Sequence, residues 1–513
     1  MKPPIAKLTA VTIVLALLVT AIFGASQIFG IKADSGTKRT VELLKLWSFT
    51  AGMQSVTSPV VADGLVYATS GTIGGSRVSV YCLNSSSGSL IWNHTGFFDL
   101  FTVADGYVYV GESAVTGSVF TLYGAALCLN AFTGAQLWNY SAGTGFAAPV
   151  VGGGTVYFGG FNYTRSIGTN LGFIYAFNAY TGKKIWSFLG PPGTRFDHDA
   201  LVLTNGKLYA LSAVYSEKDA SWVSGIYAFN AGTGEELWNY TTPGQFNSLA
   251  VANHTVYVSS NFVDTTGYLD AKYSGGHVYK GGILALNAIS GVMKWDYPIN
   301  GSVEPPILSN GKVYSVSDNE IYALNASDGT AIWKLAFDKN MGHAKFVNGS
   351  LYVGSSDGVY CFKSNSALIW NFTFDNYTAS SATCPTYADG IIYIGWNGAQ
   401  SFSPITENNF YALDALSGEK IGNYTIGYAI KSAPNVVNGV VYVGASSIST
   451  RNIDYAGPGA VIAFNSTIAQ LPSQTPSPLP LFPDSTTTLI AGTAIVVVVI
   501  LAVGFLVRMK RAK

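Results

Sequence analysis

Tyr175-Ala176-Phe177-Asn178-Ala179-Tyr180-Thr181-Gly182-Lys183-Lys184-Ile185-Trp186 is one copy of a unit that recurs along the chain. Aligned on the closing Trp, the other copies are 81–92, 127–138, 227–238, 284–295, 322–333, 360–370 and 411–422. The seventh is one residue short and lacks its Gly, and the last carries Gly422 where Trp is expected. Two half-copies complete the set. Leu46-Trp47-Ser48-Phe49 at the front is the Trp end alone, and Val461-Ile462-Ala463-Phe464-Asn465 at the back is the beginning alone.

Self-similarity at a period of 20 to 50 residues marks a repeat architecture. From Trp47 the steps are 45, 46, 48, 52, 57, 38, 37 and 52 residues, ending at Gly422. Steps scattered around ~45 suit four short strands joined by loops of varying length. Upstream of each Trp motif, β-branched and aromatic residues run into a Gly-containing turn and out again, as around Asp63-Gly64 and around Gly152-Gly153-Gly154. This pattern predicts a hairpin. The Trp motif supplies two more strands: 226–230 and 236–240 alternate with period 2 on either side of Thr233-Gly234. Hairpins begin near Ser58, Phe101, Ala148, His198, Asn247, Pro305, Ala344, Cys384 and Ala433, nine in number. Four-stranded units repeated radially make an all-β, closed β-propeller. The two half-copies then predict that 43–49 completes the sheet begun by 433–465, which removes the exposed edges of an open array. An open solenoid is the rival, but its ends would be distinct polar caps.

The pattern Ala-x-Asn-x-x-Thr/Ser-Gly-x-x-x-Trp, seen as Ala176, Asn178, Thr181, Gly182, Trp186 and as Ala285, Asn287, Ser290, Gly291, Trp295, resembles the tryptophan-docking repeat of pyrroloquinoline quinone (PQQ) type propellers. The resemblance covers 43–466, with Cys82, Cys128 and Cys361 replacing the Ala in three copies. Propellers of that family are usually eight-bladed, so about eight blades are expected, or nine if every counted unit forms one.

Both ends carry membrane signals. Lys2 and Lys7, the apolar run 8–24 and small residues around Ala25 make 1–33 a signal peptide or an N-terminal anchor. Residues 489–507 are a 19-residue uncharged stretch, long enough to span a bilayer as a helix. The basic tail 508–513, with Arg508, Lys510, Arg511 and Lys513, predicts a cytoplasmic C-terminus and an extracytoplasmic propeller, a single-pass arrangement at the cell membrane. Between ring and span, 471–488 holds five prolines among Ser and Thr and reads as a stiff stalk. Thirteen Asn-x-Ser/Thr sequons, among them Asn93, Asn253, Asn300 and Asn348, suggest a glycoprotein. The formal net charge of zero and 11% charged residues leave no nucleic-acid footprint. Four cysteines are too few for a disulfide scaffold, and Cys82 and Cys128 are expected as buried small hydrophobes.

The resemblance implies one enzymatic alternative, a PQQ-dependent quinoprotein dehydrogenase with calcium. Enzymes of that kind use an adjacent Cys-Cys pair, an acidic base, and Glu and Asn calcium ligands. No Cys-Cys pair exists here. Asp197-His198-Asp199 is the best cluster for proton transfer or metal binding, with Asp199 as a base if the alternative holds. Against it stands the plainer reading of a strand-capping turn, because metal sites need three or more converging ligands. His343 and Glu304, also near strand starts, are weighed the same way, and Trp222 and Trp396, outside the repeat position, are candidate stacking rings, with a Trp packed on its own blade at least as common. No catalytic, cofactor or metal residue is assigned and no cofactor is expected. The sequence thus reads as a surface binding or scaffold module for a protein or a surface glycan, tethered to the membrane by its C-terminal helix.

Overall fold

The computed structural model describes residues 39–51, 55–71, 78–96, 98–116, 121–141, 145–164, 169–196, 201–216, 221–264, 278–374, 381–397, 408–426, 429–430, 432–446 and 459–470. Residues 41–467 form one compact unit. The described residues hold strands and turns, and none of their segments is a helix long and apolar enough to cross a membrane. The expected signal segment, stalk, membrane span and basic tail lie outside the described residues.

The described residues form nine sheets, one from each counted hairpin, so the ring has nine blades and not the expected eight. Blades one to eight span 55–96, 98–141, 145–192, 194–243, 245–300, 307–336, 341–373 and 381–426. In each, four antiparallel strands run a, b, c, d from the axis outward, and strand a is often split, as in Ser55–Val56 and Val60–Ala62 on Leu65–Gly71. The ninth blade takes three strands from 429–470 and its outer strand, Arg39–Ala51, from the front of the chain, hydrogen-bonded to Gly459–Gln470. The two half-copies therefore make one sheet, as the sequence predicts. One core cluster joins Trp47, Tyr442 and Val461 of the ninth blade to Val66 and Leu83 of the first. On its other side the ninth blade meets the eighth through Phe410 and Phe464, whose centroids lie 5.6 Å apart. The ring is closed.

Local chemistry sets the blade. The a–b turns hold both central residues at positive φ, as in Asp63 (50°) and Gly64 (75°) or Asn438 (51°) and Gly439 (73°). That mirror-image turn matches strand twist and selects Asx and Gly. In the c–d turns an Asx side chain caps the bend: Asn178 Oδ1 accepts from the backbone N–H groups of Tyr180 and Thr181. The glycine four residues after the Asx has positive φ and also lies under the preceding blade's indole. A Cβ added at Gly182 or Gly234 would sit closer than 3.0 Å to Trp138 or Trp186. The shortened seventh copy has no such glycine, and Ser366 (φ 73°) takes the left-handed conformation instead.

Each indole crosses a blade boundary. Trp92 Nε1 donates to Ala131 O at 2.9 Å, Trp186 to Ala231 O at 2.8 Å, and Trp370 to Ala415 O at 3.1 Å. A tyrosine from strand b of the same blade donates to the same carbonyl, as Tyr67 does to Ala131 O at 3.1 Å. Gly422 follows from this geometry. The eighth blade would dock its indole on the c–d turn of the ninth, but strands c and d of that blade, Gly459–Gln470 and Arg39–Ala51, come from distant parts of the chain and no turn joins them. A side chain at 422 would instead run into the carbonyl of Val41, and Val41 and Leu43 are themselves buried.

Trp238 is 8% exposed and donates to Ala288 O at 3.3 Å. Trp238→Ala is expected to lower the unfolding free energy by ~3–5 kcal/mol, the range for a buried Trp truncation. Denaturant titration checks this, and an unchanged midpoint would contradict interblade docking of the ring.

Candidate functional site

The axis is lined by the starts of the nine inner strands, and side chains there tie neighbouring blades together. Ser58 Oγ donates to Ala433 O at 3.2 Å, Thr102 Oγ1 to Pro149 O at 2.6 Å, Asn247 Nδ2 to Val303 O at 3.3 Å and Asn435 Nδ2 to Pro59 O at 3.1 Å. These bonds make a polar hoop inside the apolar interblade cores. One arc of the hoop, on blades seven, eight, nine and one, opens into a cavity of about 450 Å³ lined by Thr57, Ser58, His343, Cys384 and Ser432.

At the edge of this arc His343 Nδ1 meets Glu304 Oε2 at 2.7 Å across the junction of blades six and seven. The sequence places both residues near strand starts and the fold brings them together. The bond to Glu304 raises the His343 pKa, with burial opposing. Cys384, which the sequence reading uses only to mark a hairpin, also faces the cavity. Burial pushes its thiol up, while the nearby Lys345 pulls the other way. A thiol held protonated is a poor nucleophile. The only signal for this grouping is that the three residues open the inner strands of three successive blades.

Other candidates resolve differently. Asp197-His198-Asp199 lies outside the described residues, as does the side chain of Trp222. Trp396 offers no stacking surface: it sits on the second strand of the eighth blade, 3% exposed, with Phe374 at 5.6 Å, because its position in the strand points it into the blade boundary. All four cysteines are free. Cys82 and Cys128 are buried in their blades, with thiols pushed up to about 12 by desolvation.

The PQQ and calcium set implied by the resemblance does not fit the described residues. Their axial arc offers one carboxylate, Glu304, already bonded to His343, and one thiol, Cys384, directed at the backbone carbonyls of Ala344 and Pro385. Among the described residues no three His, Cys, Asp or Glu side chains converge as a metal site. What the arc can do is donate and accept hydrogen bonds through hydroxyls and an imidazole.

A family model, PQQ_2, described as outer membrane protein assembly factor BamB, matches residues 76–335 and 317–421. No curated protein compared with the chain matches it. Among solved structures, BamB from Moraxella catarrhalis is 14% identical, with 83% of this chain and 100% of that one covered and a TM-score of 0.44. Quinohemoprotein alcohol dehydrogenase from Comamonas testosteroni is 15% identical over 88% and 80%, with a TM-score of 0.47. Saccharomyces cerevisiae Sqt1 is 14% identical over 70% and 96%, with a TM-score of 0.46. At that level of likeness none of the three assigns a function.

The His343–Glu304 pair has a pH signature. Its histidine pKa is raised on folding, so its stabilisation is full below the unfolded-state value and is lost as pH rises through the folded-state value. The melting-temperature advantage of the wild type over Glu304→Gln should be largest near about pH 5–6 and shrink toward about pH 8–9. An advantage constant across that range would show that the ion pair contributes nothing.

Proposed function

The chain belongs to the PQQ_2 propeller family, and from that membership we propose that it is a binding ring, a scaffold displayed outside the membrane that holds a partner protein at its axial arc. The observation that carries this reading is the lining of the arc. Thr57, Ser58 and Ser432 present hydroxyls, and the one charged pair, His343 and Glu304, is internally satisfied. Rigid, uncharged donors and acceptors suit the backbone and polar side chains of a polypeptide segment. The family model is described as an assembly factor, and carried to this chain that favours a protein over a surface glycan as the ligand. The quinoprotein alternative rests on the resemblance alone, with no cofactor clamp among the described residues to support it.

External display rests on the sequence of the two ends: a basic, apolar leader in 1–33, the uncharged stretch 489–507 and the basic tail behind it. Glycosylation is consistent with the ring, since the sequon residues Asn93, Asn139, Asn239, Asn253, Asn300, Asn348, Asn371 and Asn423 are all exposed.

A photo-crosslinking residue placed at Ser432 in intact cells is expected to give a discrete protein adduct that the same residue at outward-facing Leu137 does not. Reconstitution with quinone and calcium should give no dye reduction with alcohols or sugars. Absence of any adduct at Ser432, or turnover that disappears in Asp199→Asn, would overturn the binding-ring reading. For topology, protease added to intact cells should remove the propeller and spare the tail, and protection of both would contradict display outside.

A further inference from the structure

We propose that the junction of blades four and five is a second binding site, one that takes an aromatic side chain of a partner polypeptide with a basic residue beside it. The inference does not depend on the axial reading. It starts from what fills the same junction elsewhere in the ring. At five junctions the residue two after the docking Trp is a ring that faces a second ring on strand c of the next blade: Phe49 meets Tyr81 at 5.2 Å, Tyr140 meets Tyr175 at 5.4 Å, Phe188 meets Tyr227 at 5.7 Å, Tyr297 meets Tyr322 at 5.8 Å, and Phe372 meets Tyr411 at 5.4 Å. Junction one–two has His94 and Leu127 in these places. At junction four–five the first ring is present as Tyr240, but its counterpart is Leu284. Among the described residues no ring packs on Tyr240.

The floor shows the same omission. Phe146, Phe196 and Phe246 open three successive blades at equal spacing. Phe146 is covered by Phe173 at 5.1 Å and Phe196 by Tyr227 at 5.4 Å. The residues aligned with Phe173 and Tyr227 in the fifth blade are Gly282 and Leu284, so Phe246 floors a vacant slot. The result is a cavity of about 400 Å³ lined by Tyr240, Phe246, Gly282, Leu284, Met293 and Asp296. A cavity of about 150 Å³ holds one benzene ring, so this one has room for a ring and the chain that bears it.

The slot is also charged. Asp296 stands directly opposite Leu284 in the strand ladder, on the groove-facing side. At the same position the other copies carry Ser48, Asn93, Asn139, Ser187, Asn239, Lys334, Asn371 and Asn423, so this is the one acidic residue of the set. It has no hydrogen bond or ion pair among the described residues. An aromatic vacancy edged by a free carboxylate is complementary to a ring flanked by a cation.

The test uses the purified full chain and acetyl-Gly-Phe-Lys-Gly-amide, read by isothermal titration and ligand-observed NMR. The wild type should bind it saturably, and should bind versions with Leu for Phe, or Glu for Lys, about tenfold more weakly, the size of loss that removing an anchor gives. Leu284→Tyr, which restores the ring found in the preceding blade, should abolish binding without lowering the melting temperature. Asp296→Asn should keep the Phe preference and erase the Lys-over-Glu preference. No saturable binding by the wild type, or binding by Leu284→Tyr as strong as wild type, overturns the proposal. Should Leu284→Tyr not fold, Asp296→Asn decides: lost charge discrimination supports the site and unchanged discrimination overturns it.

Discussion

The ring depends on one repeated contact, an indole laid on a bare glycine backbone with its N–H donated to a carbonyl of the next blade. At a regular turn a Cβ would collide with the indole, as the space at Gly234 shows, and the indole N–H joins the Tyr157 hydroxyl in satisfying Ala231 O at an apolar boundary. Because donor and acceptor lie on consecutive blades, the contact sets how each blade is placed against the next, and repeated units close into a ring.

This dependence explains the places where the repeat breaks its own rule. Gly422 looks in the sequence like a degenerate Trp. It marks the one boundary whose receiving blade has no c–d turn, because its two outer strands come from distant parts of the chain, and the space goes to the incoming strand Arg39–Ala51. The seventh copy lost its glycine yet keeps the contact, since Trp333 Nε1 still donates to Ser364 O at 3.0 Å over a turn in which Ser366 accepts the strained conformation.

Strand pairing, the a–b turns, the Trp boundaries and closure by the two half-copies were all legible in the chain, because each depends on residues close in sequence or repeated in register. Nine hairpins could be counted in the chain, but the family's habit set the expectation at about eight blades, and the number was settled only by the nine sheets. The candidate sites were far less so. His343, Glu304 and Cys384 belong to three blades, and no periodicity announces that a ring brings them to one arc. For Trp396 the sequence left two readings open, because a Trp outside the motif looks free, and alternation on its strand decides for the packed one by facing it inward onto Phe374. Leu284 and Gly282 are unremarkable as residues and matter only through the rings that other blades place there.

The seam has a mechanical consequence. Strand Gly459–Gln470 is held on both sides, by Val440–Ser446 and by Arg39–Ala51. A pull on the chain leaving Gln470, directed along that strand, strains the hydrogen bonds of both ladders together in shear, where a pull on an edge strand would peel them one at a time. The seam is therefore closed by shear contacts, and tension applied from the C-terminal side would meet that resistance before any blade could be unzipped.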